Sequence, residues 1–92
     1  MSTGPVTREV TIVNQRGLHA RAAAKFVRAA GEFDAAVEVT RDDTTVAGTS
    51  ILGLMLLGAG IGSTLTLKAE GTDAEAAIAA IADLVERGFV EG

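Results

Sequence analysis

Gly17-Leu18-His19-Ala20-Arg21-Ala22-Ala23-Ala24-Lys25-Phe26-Val27 is the stretch around which the remaining elements fall into order. It is rich in alanine, and Leu18, Ala22, Phe26 and Ala29 or Ala30 recur at three-to-four spacing. That pattern predicts an amphipathic helix from about His19 to Ala30, with Gly31 as its stop. The only histidine of the 92 residues stands where this helix begins, and an arginine follows two positions later. The N–H groups of Ala20, Arg21 and Ala22 would have no intrahelical acceptor there. Together with the helix dipole they favour an anion at that end.

Upstream, Val6, Val10 and Ile12 alternate with Thr7, Glu9 and Thr11, although Arg8 interrupts the apolar side. A half-buried strand over Val6 to Val13 is expected, closed by a turn at Asn14-Gln15-Arg16-Gly17. Met1 to Pro5 reads as a flexible tail, and residues 6–92 as one domain. Downstream, Val37 and Val39 alternate with Glu38 and Thr40 in a second strand. Arg41-Asp42-Asp43-Thr44 is a hairpin turn, and Thr45 to Ala47 a short return strand. Ser50 suits the N-cap of a short helix over Ile51 to Leu57, ended by Gly58, Gly60 and Gly62.

Leu65, Leu67 and Ala69, alternating with Thr64, Thr66, Lys68 and Glu70, make a fourth strand. Thr72-Asp73-Ala74-Glu75 has the form of a capping box. The helix behind it carries Ile78, Ile81, Leu84 and Val85, runs to about Arg87 and meets Gly88. The order is βαββαβα. Alternating strands leave one sheet face wet and the other covered. The expected fold is α+β: an open-faced β-sandwich whose four-stranded, mainly antiparallel sheet carries three helices on one face.

Composition removes several function classes. There is no cysteine, which excludes disulfides, thiol catalysis and thiolate metal sites. One histidine and scattered carboxylates argue against a structural metal. No cofactor is expected. The net charge is −4 and only three aromatic residues are present, so neither a basic footprint nor a stacking platform for nucleic acid exists. The N-terminal residues lack a signal pattern, and the longest apolar run, Ile51 to Ile61, is too short and glycine-rich to span a bilayer. A cytoplasmic protein without membrane attachment follows. Gly58-Ala59-Gly60-Ile61-Gly62 lies between a helix and a strand, the reverse of a dinucleotide fingerprint, and reads as a flexible connection. Asp42 with Asp43, and Glu70 with Asp73, read as turn and cap residues.

His19 remains as the candidate for chemistry. A free imidazole titrates at about 6.5, so most of it is a neutral nucleophile at pH 7. Such a nucleophile can carry a phosphoryl group covalently. The backbone N–H groups of Ala20 and Arg21 would bind the phosphoryl oxygens, and the guanidinium of Arg21 adds charge-assisted donors. The plainer reading is a histidine that only caps a helix. A second feature is the short helix after Ser50. Leu54 and Leu57 can face a core with Ile51 at the margin, which leaves Leu52, Met55 and Leu56 partly exposed. An apolar patch formed by Ile51, Leu52, Met55 and Leu56 suits docking of a protein partner, and methionine adapts to more than one. Burial of the whole helix is the alternative.

Gly17-Leu18-His19-Ala20-Arg21, followed by Ala23-Ala24-Lys25-Phe26-Val27, closely resembles the active-site segment of the HPr family. These are histidine-containing phosphocarriers of the bacterial phosphoenolpyruvate-dependent phosphotransferase system. Ser50-Ile51-Leu52-Gly53-Leu54-Met55-Leu56-Leu57-Gly58 resembles the family's serine-headed second helix, and the likeness extends over about residues 6 to 88. The resemblance implies that His19 accepts a phosphoryl group on Nδ1 from enzyme I and passes it to an enzyme IIA-type protein. Arg21 would help hold and release it. Ser50 would match the serine that HPr kinase/phosphorylase modifies in some members. Its role as an N-cap is sufficient on its own, so regulation stands beside that reading. The chain would be a monomeric carrier rather than an enzyme.

Two departures are visible. The family usually has proline after the arginine, where this chain has Ala22, and a few extra residues precede the first strand. Proline suits a first helical turn, but alanine is also a good helix former and leaves one more N–H, so acceptance is expected to survive. The rival from another class is a regulatory adaptor, phosphorylated at His19 or Ser50, that controls carbon or nitrogen metabolism by choosing its partners. A small phosphatase working through a His19 intermediate would need a second acid or base, and none is evident.

Overall fold

A computed structural model describes residues 4–91. Its elements are β1 (Val6–Thr11), α1 (Ala20–Gly31), β2 (Ala36–Arg41), β3 (Thr44–Ala47), α2 (Ile51–Leu56), β4 (Thr64–Glu70) and α3 (Ala74–Glu86), followed by a 3-10 turn at Gly88–Val90. The four strands form one sheet in the order β1-β4-β2-β3, and all three pairings are antiparallel. Of the expected tail, Met1 to Thr3 lie outside the described residues, and Gly4 and Pro5 are exposed.

Side-chain alternation decides which face is covered. Val10, Val37, Val39, Leu65, Leu67 and Ala69 point to the helices and are buried, whereas Thr7, Glu9, Thr11 and Glu38 face away and are exposed. Register aligns Arg8, Leu67, Val39 and Val46 across the sheet. That row explains the break in β1: Arg8 lies on the sheet's outer edge, where its guanidinium reaches Glu86 of α3 at 3.2 Å. Phe26 of α1, Leu54 of α2 and Ile81 of α3 complete the core.

Local chemistry departs from the sequence expectation in three places, and one long-range contact adds to them. Gly31 is the last helical residue of α1 and Glu32 is its cap, with the cap in ordinary right-handed backbone. The capping box at Thr72–Glu75 does not form. Asp73 is the N-cap of α3, and its carboxylate accepts from the N–H of Asp34 at 2.7 Å while its own N–H donates to the Asp34 carbonyl at 3.0 Å. A tie to the α1–β2 loop replaces a cap within the helix.

The Gly58–Gly62 connection is also bonded on both sides. The Ala59 carbonyl accepts from Leu18 N–H at 2.9 Å, and the N–H of Gly62 donates to Ile12 at 2.8 Å. Finally, Arg41 of β2 reaches over α2 and donates to the carbonyls of Leu57 and Gly58 at 2.9 and 3.2 Å. Those are orphan acceptors at a helix end. The hairpin turn itself is as expected, with Asp42 in left-handed backbone at φ 54°.

Candidate functional site

The turn Asn14–Gly17 delivers His19 to the head of α1. Gly17 has φ 65°, and a Cβ there would lie 2.3 Å from the Ala59 carbonyl oxygen, so only glycine lets the two loops meet this closely. Leu18 is buried beside it. His19 is the N-cap residue in extended backbone, and its carbonyl accepts from Ala23 N–H at 2.8 Å. Its side chain makes no cap bond. Ala20, Arg21 and Ala22 therefore head the helix with N–H groups that the ladder does not use. Ala22 is fully buried, so its methyl packs into the core.

The imidazole is largely enclosed, with 15% of its side chain exposed. Its Nε2 donates to a carboxylate oxygen of Glu91. Asn14, itself buried, donates from Nδ2 to the other Glu91 oxygen at 3.1 Å and to the Gly17 carbonyl at 2.8 Å. The hydrogen bond from His19 holds the Glu91 carboxyl below the usual carboxylate range; partial desolvation opposes it, and Asn14 with the charges of His19 and Arg16 adds to it. A carboxylate only accepts, so Nε2 bears a proton, and Nδ1 is the ring nitrogen without a partner among the described residues, with its lone pair available whenever the ring is neutral.

Arg21 is exposed, and its guanidinium has no partner among the described residues. It lines a cleft with Arg16, Lys25 and Arg87, against Glu86 and Glu91. The protein is acidic as a whole, yet cations outnumber anions along this cleft, which the imidazole does not line itself but which adjoins it through Glu91.

Ser50 caps α2 as expected, its Oγ accepting from Gly53 N–H at 2.9 Å. Leu54 and Leu57 are buried, while Leu52 and Leu56 are 75% and 81% exposed and Ile51 and Met55 about half as much. Whole-helix burial is thereby excluded. From Thr44 to Leu67 the sequence holds no Asp, Glu, Lys or Arg, so this surface is uncharged as well as apolar. Because α2 packs against α1, the patch lies beside the helix that His19 heads.

Sequence reasoning missed Asn14, Lys25 and Glu91. Asn14 reads as a turn residue, Lys25 as an ordinary helix lysine, and the residues after Gly88 carry no periodicity. The turn following Gly88, a glycine at φ 64°, was the one available signal that the chain folds back.

A family model described as the PTS HPr component phosphorylation site matches residues 6–87. The chain belongs to the HPr phosphocarrier family. It is 46% identical over 85 residues to phosphocarrier protein HPr of Cupriavidus necator, covering 92% of this chain and 96% of that protein. It is 46% identical over 84 residues to phosphocarrier protein NPr of Shewanella violacea, covering 91% and 92%. Among solved structures, HPr-C-His from Thermoanaerobacter tengcongensis superposes with a TM-score of 0.90 at 42% identity, over 95% of this chain and 98% of that one. The βαββαβα order and the antiparallel sheet are thus those of the HPr fold.

Proposed function

We propose that this protein carries a phosphoryl group on Nδ1 of His19, taking it from a phosphohistidine of enzyme I and giving it to a histidine of an enzyme IIA-type protein in the cytoplasm. The observation that carries this reading is the Nε2–Glu91 contact, which leaves Nδ1 as the free nitrogen at the head of α1. The N–H groups of Ala20 and Arg21 and the Arg21 guanidinium receive the phosphoryl oxygens. Ile51, Leu52, Met55 and Leu56 dock both partners in turn, with residues 6–92 acting as one monomeric unit. The domain is a carrier and turns over no substrate by itself.

A second reading is favoured by Ser50, which caps the helix bearing the uncharged patch. A phosphate there would add the only charge between Thr44 and Leu67, and a phosphate at a helix N-terminus is electrostatically tolerated. HPr kinase/phosphorylase would then switch partner choice without unfolding α2, as a regulatory adaptor requires.

The test is incubation with enzyme I and phosphoenolpyruvate, with incorporated phosphate measured by intact mass. One acid-labile phosphate is expected, absent in His19→Ala. Absence of phosphate beside demonstrably charged enzyme I would reject the carrier reading in favour of the adaptor. The docking part is tested by Leu56→Glu. It should weaken binding to enzyme I while leaving the free energy of unfolding within about 0.5 kcal/mol of wild type, as for an exposed position.

A further inference from the structure

Glu91 lies 72 positions from His19, and its approach is determined by contacts of the segment between them. After α3 the chain reverses at Gly88, and Phe89 inserts its ring fully into the core. Phe89 and Val90 both adopt φ 58°, a left-handed backbone that is unfavourable for an aromatic and more so for a β-branched residue. Such backbone persists where surrounding contacts determine it. Here the Phe89 ring is buried and its carbonyl accepts from Lys25 Nζ at 2.7 Å. One Glu91 oxygen is taken by Asn14 and the other by His19, so the carboxylate cannot rotate away from the imidazole without losing a bond.

We propose that Glu91 is a positioning residue for phosphoryl transfer at His19. It holds the imidazole in the Nε2–H tautomer and balances the charge the ring acquires when Nδ1 is phosphorylated. This rests on His19 being the acceptor. In the transfer, the bond between phosphorus and the donor histidine's nitrogen breaks, and that nitrogen keeps the electron pair. The lone pair of His19 Nδ1 forms the new N–P bond. Nε2 keeps its proton throughout, so the ring becomes positively charged and faces the Glu91 carboxylate. An acid behind a histidine plays the same part where imidazole accepts a proton.

The other charged groups around the site are Arg16 in the turn, Arg21 and Lys25 on α1, and Glu86 and Arg87 on α3, while α2 contributes none. Glu86 is drawn away by Arg8 at 3.2 Å. Glu91 is therefore the carboxylate in contact with the ring among the described residues.

The experiment uses the full chain with its ring nitrogens labelled with 15N, as wild type, Glu91→Gln and Glu91→Ala. Long-range 15N–1H spectra, recorded where the ring is neutral, report the tautomer without any partner protein. Wild type should show Nε2–H. Glu91→Gln should keep it, because the amide oxygen still accepts, and Glu91→Ala should give a mixture. In steady-state phosphorylation by enzyme I, the kcat of enzyme I should fall about tenfold on both variants with its KM for the carrier unchanged, the lower end of what a carboxylate behind a histidine contributes.

An Nδ1–H tautomer in wild type, or unchanged spectrum and kcat in Glu91→Ala, overturns the proposal. A raised KM at constant kcat also overturns it, placing Glu91 in docking. A wild-type protein that takes no phosphate removes the carrier reading, and the positioning role in transfer falls with it. The tautomer spectra tell that failure apart from one of Glu91 alone.

Discussion

The ammonium of Lys25 donates to the carbonyl oxygen of Phe89 at 2.7 Å, tying the second turn of α1 to the turn that follows α3. One lysine thus connects the helix that presents His19 with the segment that carries its partner Glu91. Lys25→Met keeps the aliphatic stem and removes the donor. Stability should fall by about 1 kcal/mol, the worth of a partly exposed hydrogen bond to a charged group. Urea unfolding measures this, and amide exchange at Val90 should accelerate more than exchange in the sheet.

Gly17→Ala is expected to be far more damaging. The new Cβ would sit 2.3 Å from the Ala59 oxygen and 2.8 Å from the Gly60 Cα, at a φ of 65°. Left-handed backbone alone costs about 1–2 kcal/mol for alanine, and displacement of two backbone segments adds to it. Denaturant unfolding should show a loss of at least about 2 kcal/mol, and phosphate incorporation at His19 should slow because the turn that delivers it moves. Unaltered stability would mean that the Gly58–Gly62 connection yields freely.

Ser50→Ala removes the acceptor for Gly53 N–H and should cost about 1 kcal/mol. Six residues form too short a helix to persist without caps and packing. Ser50→Asp restores an acceptor and should recover most of the loss. Amide exchange at Gly53 separates the two: fast in the alanine variant, slow in wild type and in the aspartate variant. The aspartate variant then tests added charge on an intact helix.

Glu91 predicts a pH dependence with a definite sign. Its carboxyl titrates lower in the folded chain than in the unfolded one, chiefly through the hydrogen bond from His19. The stabilisation is present above the unfolded value and is lost as pH falls through the folded value. Wild type should therefore be more stable than Glu91→Gln at neutral pH, and the difference should vanish in acid below the folded value. Paired urea titrations across that range measure it. A gap that persisted below the folded value would assign the effect to something other than ionisation of Glu91.

The strands and helices were legible because each carries its own period. Val37 and Val39 alternate, Ile78 and Ile81 recur on a helical face, and burial follows those positions. Ser50 was legible because a cap acts within three residues. The Thr72–Glu75 box failed for the opposite reason: Asp73 found a stronger tie in Asp34, which is 39 residues away and invisible to a local motif. The Gly58–Gly62 run misled in the same manner, since it is bonded to Leu18 and Ile12, far back in the chain and invisible to a local motif.

Sequence alone determined the four strands, the three helices and the position of His19 at a helix head. Each of those follows from hydrophobic period or from chemistry within a few residues. Tertiary structure decided what surrounds the imidazole. Asn14 and Glu91 meet at His19, with Lys25 holding the Phe89 carbonyl, because the Phe89 ring enters the core and its burial draws the segment after α3 back across the site. That return is paid in left-handed backbone at Phe89 and Val90 and sustained by long-range packing. Gly88 is its one local sign, and nothing local encodes where the segment lands.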